Sequence, residues 1–126
     1  VKYRARRGLR LTGKTADHFC GGGGVSWAIR KVTGRSPHYA INHDDTAIAV
    51  HRANHPDTVH HRGDMVHLSP RRHLKLKRGD LWFFWTSPDC RDFSNAKGGQ
   101  PRNQKIRCLA WTAVRWARDL MPDFFF

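Results

Sequence analysis

The chain is 126 residues long and 39% hydrophobic, with 23 Lys and Arg against 10 acidic residues, a formal net charge of +13. One domain is expected at this length, near the low end for an α/β enzyme, and no apolar run reaches a transmembrane span or a signal-peptide core. The charge favours a polyanionic partner held through phosphates, with a basic surface kept for solubility as the bland alternative. Three cysteines without Cys-x-x-Cys spacing argue against a disulfide framework and for a reducing, cytoplasmic compartment.

Residues 1–16 carry six Lys or Arg, two glycines and no acid. They are expected as a basic arm, which leaves a first strand poorly supported, with the folded domain over 17–126. Asp17-His-Phe-Cys-Gly-Gly-Gly-Gly24 follows. Four consecutive glycines put no Cβ in the turn, so the backbone can approach a ligand and aim its N–H groups at an anionic or electron-rich atom. Val25–Gly34 is a short helix-like stretch closed by glycine, and its direct continuation from the glycines argues against a linker. His38–Ile41 is expected as a strand, and Asp44 or Asp45 as the cap of a helix over Thr46–Asn54, with Pro56 after it.

Thr58–His61 is expected as a third strand. Ser69–Gly79 is basic with alternating leucines, and its pattern chooses no conformation. Leu81–Trp85 is the central buried strand, and Asn95–Gln104 has the composition of a loop. The strongest helix runs over Asn103–Met121, with Ile106, Leu109, Ala110, Ala113, Val114, Ala117, Leu120 and Met121 on one face and Pro122 ending it. Trp111 and Trp116 flank that stripe and are expected to pack rather than to stack on bases. The alternation of strands and helices implies an α/β fold with a doubly wound, mostly parallel sheet.

Two features carry chemistry. Ser87-Pro-Asp-Cys-Arg-Asp-Phe-Ser94 follows the buried strand, and Pro88 forces the chain out of the sheet. Cys90 therefore lies in a loop at a strand's carboxyl end, where ligands of open α/β sheets bind. With Arg91 beside it the thiol is either an activated nucleophile or a small buried hydrophobe. The nine histidines invite a metal reading, since His51 and His55 are four apart and His60 and His61 lie close by. His-Arg-Ala-Asn-His lacks the glutamate of a zinc hydrolase, so these are expected as exposed histidines with no metal.

Taken in order, these motifs resemble the DNA (cytosine-5) methyltransferase family. Asp17, Phe19, Gly21, Gly23 and Gly24 match its Asp-x-Phe-x-Gly-x-Gly-Gly motif. Cys90, Phe93 and Ser94 match its Pro-Cys-Gln-x-Phe-Ser motif in a Ser-Pro-Asp-Cys variant similar to a phage and bacterial branch. Ile41-Asn-His-Asp44 with Ala47, His51 and Asn54 has the spacing of its second motif, Arg62-Gly-Asp-Met65 resembles its third, and Ile106-Arg-Cys-Leu109 its fifth. Asn42 stands where the family has a ribose-binding glutamate. Asp123-Phe-Phe-Phe126 resembles the strand before the family's Glu-Asn-Val motif, which does not follow.

The resemblance implies a Rossmann-like fold dependent on S-adenosylmethionine, incomplete at its C-terminal end. Phe19, Cys20, Gly21, Gly22, Gly23 and Gly24 would hold the cofactor, with Asn42 and His43 near its ribose and Asp64 and Met65 at its adenine. Cys90 would attack carbon 6 of a flipped cytosine, with Arg91, Ser94 and Lys97 at the DNA and no metal or membrane involved. The absent glutamate implies an inactive portion of a restriction-modification enzyme. A non-catalytic remnant that binds nucleic acid or S-adenosylmethionine is the alternative. A cysteine-dependent oxidoreductase is a distant third.

Overall fold

The computed structural model describes residues 13–88 and 104–126, with side chains of the last helix described from Leu109 onward. In chain order these are β1 (Lys14–His18), α1 (Gly24–Thr33), β2 (Tyr39–Asn42), α2 (Asp45–Asn54), β3 (Val59–Arg62), α3 (Pro70–His73), β4 (Leu81–Thr86), α4 (Gln104–Leu120) and β5 (Phe124–Phe125). The strands form one parallel sheet in the order β3-β2-β1-β4-β5. The order reverses between β1 and β4, which makes their carboxyl ends the switch point of the sheet.

The first strand corrects the boundary of the basic arm. Lys14, Thr15 and Ala16, assigned to the arm by their charge and weak pattern, belong to the central strand β1. Its sequence Lys-Thr-Ala-Asp-His is a poor strand former. It pairs with β2 on one side and β4 on the other, and Thr15 through His18 are all buried. Tertiary pairing therefore outweighs propensity here. Gly13 lies so close to β4 that any Cβ would collide with that of Trp82.

Successive strand residues face opposite sides of a sheet, and that alternation sorts the helices. Ala16, Ile41 and Phe84 cluster with Trp116 and Leu120 of α4, with Leu74 and Leu76 around α3, and with Leu81 and Met65. Their neighbours Asp17 and Ala40 face α1 and α2, where Ala40 packs with Cys20 and Ile48. Helices thus cover both faces, as the doubly wound expectation required.

Two element readings shift. Ser69–Gly79, left without a conformation, forms the single turn α3, begun by Pro70 in the first turn, and its alternating leucines are buried at Leu74 and Leu76. In α4 the buried line runs through Thr112, Ala113, Trp116 and Leu120. Trp116 is therefore the centre of the stripe, while Val114 and Met121 are exposed. Trp111 is 74% exposed, which overturns its expected packing role. Ile106 lies outside the described side chains.

Candidate cofactor site at the switch point

All five strands run in the same direction, so their carboxyl ends deliver the predicted site residues to one edge: Phe19–Gly24 after β1, Asn42 and His43 after β2, and Asp64 and Met65 after β3. Ser87 N–H donates to His18 O at 3.2 Å, so the strands leading to the glycine loop and toward Cys90 leave the sheet side by side. Cys90, Arg91, Ser94 and Lys97 themselves lie outside the described residues.

The glycine loop is built by left-handed backbone. Phe19, Gly21 and Gly23 have φ of 64°, 49° and 96°. An aromatic residue at positive φ is uncommon and concentrates at functional sites. Cys20 N–H donates to Ile41 O at 3.1 Å and Gly23 N–H to Cys20 O at 3.0 Å, which tightens the turn before α1. Helix α1 starts at Gly24 after Gly23, with no side-chain cap and no acid in its first turn. Apart from the Ser26 N–H, which is turned to the Asp17 carboxylate, its first-turn N–H groups and the positive end of the helix dipole are an arrangement suited to an anionic group.

Two residues assigned to the cofactor face the protein instead. The Cys20 side chain is buried against Ala40 and Ile48, and burial, helped by the Asp17 charge, pushes its thiol up to about 12. Met65 is 1% exposed within the main core. Both side chains join an adjoining core, because an apolar side chain beside a loop is drawn into whatever core it meets.

The polar positions are prepared differently. Asn42 Oδ1 accepts from Asp44 N–H at 3.0 Å, and Asp44 in turn caps α2 by accepting from Ala47 N–H at 2.7 Å. His43 is exposed. Asp64 is exposed, with Oδ1 accepting from Val66 N–H at 2.9 Å. Arg115 of α4 braces the same loop by donating to the carbonyls of Met65, Val66 and Leu68. No fixed-distance motif reveals Arg115, since it reaches across 50 residues.

Sequence reasoning also missed a buried polar chain beneath the glycine loop. Ser26 Oγ donates to Asp17 Oδ2 at 2.7 Å, His51 Nε2 lies 2.8 Å from Ser26 Oγ, and His51 Nδ1 lies 2.8 Å from His60 Nε2. Burial, partly offset by the Ser26 hydroxyl and N–H, raises Asp17 to about 6. Asp17 Oδ1 is buried with no partner among the described residues. Burial, then the neighbouring His55 and His60, lowers His51 to about 4. The expectation of exposed histidines therefore fails for His18, His51 and His55, all within 2% of complete burial. Among the described residues no group of three potential ligands could hold a metal.

A cavity of about 410 Å3 lined by Arg71, Lys75, Leu76, Lys77 and Arg78 precedes β4. It therefore lies toward the strand's amino end, away from the glycine loop. Its cations make it basic, but it has no part in the site at the carboxyl edge.

A parallel switch-point sheet, a glycine loop and an uncapped helix start define a doubly wound α/β protein with a candidate ligand site at the carboxyl edge. The profile of the C-5 cytosine-specific DNA methylases matches residues 13–126, and the chain belongs to that family. It is 34% identical over 97 residues to the type II methyltransferase M.AgeI of Thalassovita gelatinovora, covering 75% of this chain and 22% of that protein. It also resembles the crystal structure of a candidate DNA modification methyltransferase encoded within an E. coli prophage. That likeness has a TM-score of 0.71 and 24% identity, over 90% of this chain and 31% of the other. The chain thus spans about a fifth of its curated relative and a third of that structure.

Proposed function

We propose that the chain supplies the cofactor-binding and cysteine-bearing part of a DNA cytosine-5 methyltransferase acting in a cytoplasmic compartment, bacterial or phage-encoded. The observation that carries this is the uncapped start of α1 behind a left-handed glycine loop, beside the strand that leads to Cys90. S-adenosylmethionine fits these residues, and when bound it supplies an electrophilic methyl group. Phe19 and the main chain of Cys20 through Gly24 would hold it, with Asn42 and His43 at the ribose and Asp64 and the Met65 main chain at the adenine.

Cytosine must leave the duplex to be reached. The Cys90 thiolate would then add to carbon 6, and carbon 5 would become nucleophilic enough to displace the methyl group from sulfur, which is left as a neutral thioether. Loss of the carbon 5 proton expels the thiolate and restores both ring and cysteine. Arg91, Ser94 and Lys97 would contact the DNA, and the net charge of +13 favours phosphate contacts, which make binding salt-dependent and carry no sequence preference.

A polypeptide of these 126 residues should bind without turnover. All ten acidic residues are aspartates, so no glutamate is present to stabilise the attacked base. Losing one such stabiliser costs about 10²–10³ in rate. Labelled cofactor and cytosine-containing duplex should give no transfer above a Cys90→Ser control. Transfer above that control would overturn the assignment of the chain as catalytically incomplete.

A further inference from the structure

Asp17, Ala40 and His60 occupy one row across the sheet, because Asp17 is in register with Ala40 and Ala40 with His60. The row lies on the face covered by α1 and α2. Ala40 is fully buried and small, which leaves space above it. Ser26 from α1 and His51 from α2 fill that space, so one hydrogen-bonded chain runs from β1 to β3 over the strand between them.

The protons in this chain have one consistent arrangement when Asp17 is ionised. The Ser26 hydroxyl is committed to Asp17 Oδ2, so His51 Nε2–H must donate to Ser26 Oγ. With His51 neutral, its Nδ1 is an acceptor and receives Nε2–H of His60. Burial keeps His51 and His60 in their neutral forms, and nearby charges act in the same direction. The groups facing His51 are Asp17 through Ser26, His55 one turn on, and His60, with Arg52 acting on His60.

The same helix face touches the glycine loop. A Cβ on Gly23 would come within 2.9 Å of His55 and 3.2 Å of His51. His55 Nε2 lies 3.3 Å from Gly23 O, and Asn54 Nδ2 donates to Gly22 O at 3.5 Å. Gly23 O also accepts the first hydrogen bond of α1, from Trp27 N–H at 2.8 Å. The imidazoles therefore set where the loop and the first turn of α1 stand relative to the sheet.

We propose that His51 is a positioning residue for the cofactor loop, acting as an Nε2–H donor that fixes Ser26, Asp17 and the start of α1 in binding-competent geometry. This rests on the cofactor reading above. A hydrophobe of similar size would fill the volume without directing Ser26, whereas a satisfied polar chain selects one arrangement.

The test uses the 126-residue chain and S-adenosylmethionine in calorimetric titration. His51→Phe keeps volume and removes both hydrogen bonds, and it should weaken binding by about tenfold or more. His51→Gln keeps a donor toward Ser26 and should recover most of that loss. Ser26→Ala should weaken binding similarly, and the double variant should be no worse than the poorer single one. In the free parent, imidazole nitrogen NMR should show His51 as the neutral Nε2–H tautomer at pH 7. Equal affinity in parent, His51→Phe and Ser26→Ala, or the opposite tautomer, would overturn the positioning role. No binding by the parent would overturn the cofactor reading instead, and the tautomer would still report on the hydrogen-bonded chain.

Discussion

Four consecutive glycines look equivalent in a sequence, yet their positions make unequal demands. Gly23 has φ of 96°, and any Cβ would press on His55 and His51. Gly24 has open space around its missing side chain, and Gly22 meets nothing closer than Val50 at 3.9 Å. Gly23→Ala should therefore lose about 1–3 kcal/mol through backbone strain and the displaced imidazoles. It should also abolish cofactor binding, whereas Gly24→Ala should change stability by no more than about 0.5 kcal/mol. Thermal unfolding paired with titration checks this, and equal effects at the two positions would remove Gly23 from its special place. The glycine run was legible as a close-approach loop. Which glycine is indispensable was not, because that depends on histidines brought from α2.

Helix α4 shows how much a period reveals. Its existence and most of its length follow from spacing, since Leu109, Ala113, Ala117 and Leu120 recur at helical intervals. The register of its buried face differs from the expected stripe, because a face drawn through the aliphatic positions leaves Trp116 at its flank. Ring contacts decide it: Trp116 stacks on Phe84 at 6.3 Å and lies 4.6 Å from His18. Trp116→Ala should cost about 3–5 kcal/mol and leave the chain largely unfolded. Trp111→Ala, at an exposed site, should stay within about 0.5 kcal/mol in urea unfolding. Comparable losses at both would mean that Trp111 also packs.

Across the molecule, burial of ionisable groups makes stability depend on pH. His18 is lowered to about 3, mainly by burial and then by Arg115, and His51 to about 4, against 6.5 in the unfolded chain. Between those values the unfolded state binds more protons, so stability rises with pH up to about 6.5 and is lost as pH falls toward 3–4. Asp17 works the other way. Its folded value of about 6 against 3.8 means that the folded state holds the extra proton, so its contribution falls as pH rises from about 4 to 6. The histidines outweigh the single aspartate, and net stability should rise by a few kcal/mol between about pH 4 and 6.5. Urea midpoints across that range measure it, and His18→Leu should flatten the slope. A midpoint that is constant or higher in acid would contradict neutral buried histidines.

The sequence by itself determined the alternation of strands and helices, the parallel class of sheet, the glycine loop and the family. Each of those rests on local order: periodicity, turn chemistry and motif spacing survive without knowledge of distant contacts. The tertiary structure decided what depends on pairing across the chain. It made Lys14–His18 the central strand despite poor propensity, because two partners satisfy its backbone and bury its side chains. It turned Cys20 and Met65 inward, since the burial of apolar surface follows the nearest core and not the motif. It also drew Asp17, Ser26, His51 and His60 into one hydrogen-bonded chain. Those residues are separated by up to 43 positions in sequence, and only the sheet's register and the two covering helices bring their polar atoms within reach of one another.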